Sequence, residues 1–144
     1  MNFAIYDNYI PQVSSMFTLN LGGNEIQTNI LNMLNSKYGI ILNSQDIPHI
    51  IGQGGLKVKG RIDNESLALV DSLISDYMQR ILQEIRKNGY NLDTLDVCFV
   101  GGTSKLIEVK IKQVVPHALI PQDPDWCNCQ GFYKIGEMKY GQAE

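Results

Sequence analysis

The sequence predicts an α/β chain whose mixed sheet is flanked by helices. Three observations carry this. Segments of alternating apolar and polar residues open the chain. Two glycine pairs, Gly22-Gly23 and Gly101-Gly102, each mark a switch from extended to helical spacing. Between them a long stretch keeps one apolar stripe at steps of three and four residues, the mark of an amphipathic helix.

In chain order, "NFAIYDNYIPQV" alternates on either side of Asp7-Asn8, two turn formers, and predicts a β-hairpin. "MFTLNL" is a further extended piece ending at Gly22-Gly23. Ile26, Ile30, Met33, Leu34 and Tyr38 then define an amphipathic helix that stops near Gly39. "SQDIPHIIGQGG" predicts a short helix with Asp46 as N-cap and Pro48 in the first turn, where its missing N–H is harmless. "LKVKGRID" is a basic extended or hairpin-like segment. Asn64 is the expected cap of the longest helix, with core stripe Leu67, Val70, Ile74, Tyr77, Met78, Ile81 and Ile85 and an end at Gly89. "LDTLDVCFV" predicts a strand covered on both faces. A helix with Ile107, Ile111 and Val115 on one face follows the second glycine pair and breaks at Pro116. "HALIP" is a short strand, and a terminal helix begins near Asp123 or Asp125. No repeat or low-complexity linker divides the chain.

Composition narrows the function. The chain has 144 residues and a formal charge of −3, with 44% hydrophobic residues, enough for one core. Direct nucleic-acid or membrane-surface binding needs clustered Lys and Arg, which this charge balance lacks, so any DNA role would run through a partner. No apolar run approaches the roughly 20 residues that span a bilayer, and no signal peptide opens the chain, so a cytoplasmic protein is expected. Cys127 and Cys129 are too close, without a second ligand pair, for a structural zinc site, and Cys98, Cys127 and Cys129 are expected to be buried or redox-silent. His49 and His117 stand alone and read as structural. No catalytic or metal-ligating set emerges. Asp93, Asp96, Asp123 and Asp125 sit at element ends, where capping explains them. Glu65, Asp71, Asp76 and Glu84 fall mostly on the solvated face of the long helix.

The informative stretch is "DVCFVGGTSKLIEVK". A strand that turns through Gly-Gly into a helix aims free backbone N–H groups and a positive dipole end at one point, open to a ligand because no Cβ intervenes. The same bend can serve only its own helix, with Thr103 or Ser104 as the cap. The spacing matches neither the dinucleotide fingerprint nor the phosphate loop with its Lys.

"LDVCFVGGTSKLIEVKIKQVVP", followed by "DPDWCNCQGFYKIG", resembles the end of actin-like ATPases, where a hydrophobic strand enters a glycine-rich adenosine motif and a helix, short strand and terminal helix follow. Upstream, "FTLNLGGNEIQTNILNMLNSKYG" is similar to the segment these proteins place after their second phosphate loop. The order and spacing agree along essentially the whole chain, with the nearest likeness to bacterial plasmid-segregation actins of the ParM type. The resemblance implies the C-terminal half of a ribonuclease H-like, actin-like fold, a single domain over 1–144. Its sheet subdomain would take 1–38 and 90–144, and a helical insertion with the long helix 39–89.

It further implies a cradle for ATP. Gly101 and Gly102 would lie against adenine and ribose, with Thr103 and Ser104 as polar contacts. Thr103 stands where the family's third motif glycine falls, as in actin itself. Gln53 would sit beside the purine or ribose, or be an exposed helix-end residue. Trp126 and Asn128 would close the pocket, a core or interface role being the alternative for Trp126. The chain carries neither a first phosphate loop nor a "DxGxxT" second one, so ATP with Mg²⁺ is expected only in a complete protein and no hydrolysis from this chain alone. Expected partners are an adaptor protein on plasmid DNA and other copies, through a filament or an oligomer; the sheet that lacks its middle strand is expected to heal by such self-association or by a shifted strand pairing. "GQGGLKVKGRID" is a candidate filament contact or a mobile loop. The alternative function is a non-enzymatic assembly module that keeps the fold without nucleotide.

Overall fold

A computed structural model describes residues 1–8 and 10–141, with the side chain of 139 left aside. Position 9 of the expected hairpin and residues 142–144 lie outside the described residues. The chain divides into two compact units, Met1–Tyr90 and Asn91–Glu144.

The first unit opens with β1 (Asn2–Phe3), β2 (Tyr6–Asp7) and β3 (Ile10–Pro11). β2 and β3 form the expected hairpin, with Tyr6 opposite Pro11 and Asp7 opposite Ile10, and Asn8 takes the positive φ of 48° that the turn requires. After a 3₁₀ turn, β4 (Phe17–Thr18) returns antiparallel to β1, pairing Phe3 with Phe17. These two rings stack at 4.6 Å, and Tyr90 leans on Phe3 at 5.0 Å.

α1 (Gly23–Tyr38) ends at Gly39, whose left-handed φ of 60° closes the helix as expected. Its buried face is Ile26, Ile30 and Leu34, whereas Met33 is 45% exposed. α2 (Ile47–Gln53) buries Ile47 and Ile50 and ends at Gly54 with φ 85°. Asp46 stands at its N-cap position as expected, but its side chain bonds no amide of α2. Asp46 closes a preceding 3₁₀ turn, and its Oδ2 accepts the Asn43 N–H at 2.8 Å, which draws the carboxylate away from the α2 amides. β5 (Lys57–Val58) and β6 (Arg61–Ile62) make the hairpin at 57–62, turning through Lys59 and Gly60 with φ 47° and 83°.

α3 (Asn64–Lys87) carries the largest part of the core, burying Val70, Ile74, Tyr77, Met78, Ile81 and Ile85. Two expectations need correction. The cap is Asp63, whose Oδ2 accepts the Ser66 N–H at 2.8 Å; Asn64 is already helical. Leu67 is 44% exposed, because Ser66 takes the inward position there and its hydroxyl accepts the Leu56 N–H at 2.8 Å. α1 packs on α3, and polar ties run along the pair: Arg80 to Glu25 at 2.6 Å, Lys37 to Glu65 at 3.3 Å, Tyr38 to Asp63, and Tyr77 Oη donating to the Leu21 carbonyl at 3.3 Å.

The second unit has α4 (Gly102–Leu106), α5 (Glu108–Val114) and α6 (Cys127–Tyr140). The single helix expected after the glycine pair is broken at Ile107, with φ −115° and ψ 26°, yet Ile107, Ile111 and Val115 share a buried face. α6 starts two to four residues later than expected, after Trp126. The strands expected at 92–100 and 117–121 shrink to a 3₁₀ turn at Leu92–Thr94 and one parallel bridge, Cys98 with Leu119. Two hydrogen bonds hold that bridge, Phe99 N–H to the Leu119 carbonyl at 2.9 Å and Leu119 N–H to the Val97 carbonyl at 2.7 Å. Coverage on both faces is also corrected, since Val97 and Phe99 are half-buried while Cys98 and Val100 are exposed. Among the described residues the fold is thus helices with three two-stranded antiparallel pairs, not one continuous mixed sheet.

Candidate functional site

The glycine turn sits where the 97–100 segment enters α4. Gly101 has φ 92°, a value an L side chain rarely adopts, and its N–H donates to the Pro124 carbonyl at 2.7 Å. A Cβ on Gly102 would stand 2.8 Å from Asp125 Oδ1. Asp125 Oδ2 in turn lies 3.8 Å from Lys105 Nζ. Gly101 is thus required by its own backbone conformation, while Gly102 is crowded by the movable end of the Asp125 side chain, and the local charge at the start of α4 is a carboxylate paired with an ammonium.

Neither candidate hydroxyl caps α4. Ser104 is buried, and its Oγ donates back to the Gly101 carbonyl at 2.7 Å, which locks the turn and removes that hydroxyl from ligand contact. Thr103 is half-buried in the first turn. Trp126 follows the Asp125 turn directly and is 64% exposed; Asn128 is exposed on the first turn of α6. The second unit therefore gathers Gly101, Gly102 and Ser104 against Pro124 and Asp125, with Trp126 next in the chain. Gln53 belongs to the first unit, where it ends α2 half-buried and donates from Nε2 to the Gly55 carbonyl at 2.8 Å.

The first unit holds a cleft that periodicity could not reveal. About 330 Å³ of space is lined by Thr18, Asn20 and Leu21 on one side and Arg80, Gln83 and Glu84 of α3 on the other. Such a volume reaches the lower end of small-ligand sites. Arg80 supplies a cation within reach of Glu25, and Gln83 and Glu84 supply hydrogen-bonding groups beside it. Glu84, expected on the solvated face of the long helix and paired there with Lys87, also forms part of the cleft wall that the approach of the 18–21 segment creates.

Of the two expectations for the thiols, burial does not hold. Cys98 and Cys129 are exposed and Cys127 half-buried. Partial burial, and then the neighbouring Cys127, push the Cys98 thiol up from its ordinary range, so it is held protonated. His117 is exposed, its Nε2 sharing a hydrogen bond of 2.9 Å with the Leu92 carbonyl. No group of three or more His, Cys, Asp or Glu that could hold a metal occurs among the described residues. None of the described helices is long and apolar enough to cross a membrane.

Compared with solved structures, the chain has an actin-like fold. A non-polymerisable quadruple mutant of pCBH ParM aligns at a TM-score of 0.66 and 18% identity, over 90% of this chain and 39% of its own. Ta0583, an archaeal actin homolog, aligns at 0.68 and 19% identity, over 91% of this chain and 42% of its own. A ParM from Clostridium botulinum, solved as a 15-stranded filament, aligns at 0.68 and 18% identity, over 95% and 42%. The chain therefore spans about two fifths of the length of these structures. No protein-family model matches it, and no curated protein matches by sequence.

Proposed function

We propose that the chain is the nucleotide-binding portion of a ParM-type, filament-forming actin-like ATPase. The observation that carries the reading is the glycine turn between the 97–100 segment and α4, with its positive φ at Gly101, inside a chain that takes an actin-like fold over at least 90% of its length. In this reading Gly101 and Gly102 give adenosine a surface without side chains, Thr103 is a polar contact beside them, and Trp126 and Asn128 flank it. Ser104 serves by fixing the turn. ATP with Mg²⁺ is the cofactor of the complete protein. Because the sequence lacks both phosphate loops, nothing here orients a γ-phosphate, its metal or an attacking water, and this chain alone releases no phosphate. Copies assemble into a cytoplasmic filament that moves plasmid DNA through an adaptor protein, without touching DNA or membrane directly.

Asp125 favours a second reading. Its Oδ1 already lies against Gly102, where a ligand's backbone approach would fall, which suits an assembly module that keeps the fold and binds no nucleotide. Calorimetric titration with ATP and Mg²⁺ separates the two. Saturable heat that Gly101→Val abolishes, by straining the turn's backbone, supports nucleotide binding; no heat supports the module. Metal-dependent phosphate release by the pure chain would overturn the prediction of inactivity.

A further inference from the structure

We infer that Asp125 sets the specificity of the glycine turn, its carboxylate accepting hydrogen bonds from the vicinal 2′- and 3′-hydroxyls of a ribonucleotide. The inference names what the proposed nucleotide site selects, and it rests on that reading. The two glycines of the turn present different surfaces. At Gly101 a Cβ would meet nothing within 4 Å, so the backbone there is bare and open to a ligand. At Gly102 a Cβ would stand 2.8 Å from Asp125 Oδ1, so the space glycine leaves is bordered by a carboxylate. Consecutive Cα atoms are about 3.8 Å apart, which puts that carboxylate beside a ligand resting on Gly101.

The chemistry of this neighbour decides which part of a nucleotide it meets. A carboxylate accepts hydrogen bonds and does not donate them. Phosphate oxygens are acceptors too and carry like charge, so the phosphate end points away from Asp125. The adenine amine is a donor, but ring nitrogens that accept lie next to it, and a carboxylate set on the amine turns its second oxygen towards one of them. A vicinal diol has no such conflict, because it offers two donors to two oxygens. Asp125 is available for this role. Among the described residues neither of its oxygens accepts a hydrogen bond, and its ion-pair partner, Lys105 Nζ, stands 3.8 Å from Oδ2. Two neighbouring groups are already committed: the Ser104 hydroxyl donates to the Gly101 carbonyl at 2.7 Å, and the Pro124 carbonyl accepts the Gly101 N–H at 2.7 Å. The second of these bonds ties the residue before Asp125 to the turn and so keeps the carboxylate at this edge.

The test is calorimetric titration of the 144-residue chain, in the presence of Mg²⁺, with ATP, 2′-deoxy-ATP and inosine triphosphate, which lacks the adenine amine. The expected result is that the wild type binds 2′-deoxy-ATP at least about tenfold more weakly than ATP, the effect of losing one hydrogen bond to a charged group. Asp125→Ala should bring ATP down to or below that level and remove the difference between the two. Asp125 is exposed, so far-UV circular dichroism of the variant should match that of the wild type, and the comparison of nucleotides within the wild type needs no variant. ATP and 2′-deoxy-ATP bound alike by the wild type overturn the inference and leave the nucleotide reading standing. ATP bound as tightly or more tightly by Asp125→Ala does the same, by showing the carboxylate to be a cover of Gly102 and not a contact. A variant that loses only its discrimination of ATP from inosine triphosphate assigns the carboxylate to the base and overturns the ribose assignment. Binding of none of the three overturns the nucleotide reading and the inference with it.

Discussion

Gly101 donates its backbone N–H to the Pro124 carbonyl at 2.7 Å, so the end of the 97–100 segment is stitched to the turn that opens α6. The two glycines of this turn differ in what they tolerate. At Gly101 a Cβ would meet no atom within 4 Å, and the obstacle is the φ of 92° itself. At Gly102 the obstacle is the end of an exposed Asp125 side chain, which can swing aside. Gly101→Ala should therefore destabilise the chain by about 1–2 kcal/mol, and Gly102→Ala by less than about 0.5 kcal/mol. Urea unfolding reads both, and the opposite order would refute this division of labour.

Ser66 predicts a larger effect from a smaller change. Its buried hydroxyl accepts the Leu56 N–H at 2.8 Å and donates to the Asp63 carbonyl at 2.7 Å. Ser66→Ala leaves the Leu56 N–H without an acceptor, at a cost of about 1–3 kcal/mol. A loss below experimental error would show that the 56–66 contact is dispensable.

The core of α3 can be tested by contrast along one helix. Met78 is fully buried, so Met78→Ala should cost about 2–5 kcal/mol through lost burial and the cavity left behind. Leu67, on the same expected stripe but 44% exposed, should lose no more than about 0.5 kcal/mol on truncation. Equal losses would restore the uncorrected stripe.

Stability should also depend on pH at both extremes through Tyr38 and Asp63. The tyrosine hydroxyl donates to the carboxylate, and this bond, first among the causes, pushes Tyr38 up to about 12 and holds Asp63 below the usual carboxylate range. The Tyr38 contribution is complete below its ordinary value near 10 and is lost as pH rises towards 12. That of Asp63 is present above the ordinary aspartate range and is lost as pH falls through its lowered value. Thermal melts of Tyr38→Phe should therefore lie below wild type near neutrality, and the difference should shrink above pH 10. A constant offset at all pH values would contradict the coupling.

Helices were legible because burial of one face imposes a period that survives in the sequence; it marked most inward positions of α1, α3 and 107–115, but included the exposed Met33 and Leu67 and missed the buried Ser66 and Leu82. Strands were less so. "DVCFV" is apolar at successive positions, but only a neighbouring chain decides whether such a run is covered, and here Leu119 alone pairs with it. The glycine turn was visible as a change of period. Its occupation by Asp125 was not, since nothing local links residues 102 and 125. The cleft was hidden for a related reason: Arg80, Gln83 and Glu84 look like any solvated face until the 18–21 segment is laid beside them.

The central claim, that this actin-like chain presents its glycine turn to a nucleotide, is tested most directly by the fluorescence of Trp126, the only tryptophan, during titration with ATP and Mg²⁺. The account predicts a saturable change that survives Tyr133→Glu, a substitution outside the turn, and disappears in Gly101→Val, which distorts the turn while its far-UV spectrum remains folded. A flat Trp126 signal in the wild type, at ATP concentrations well above those that fill ordinary nucleotide sites, would contradict it.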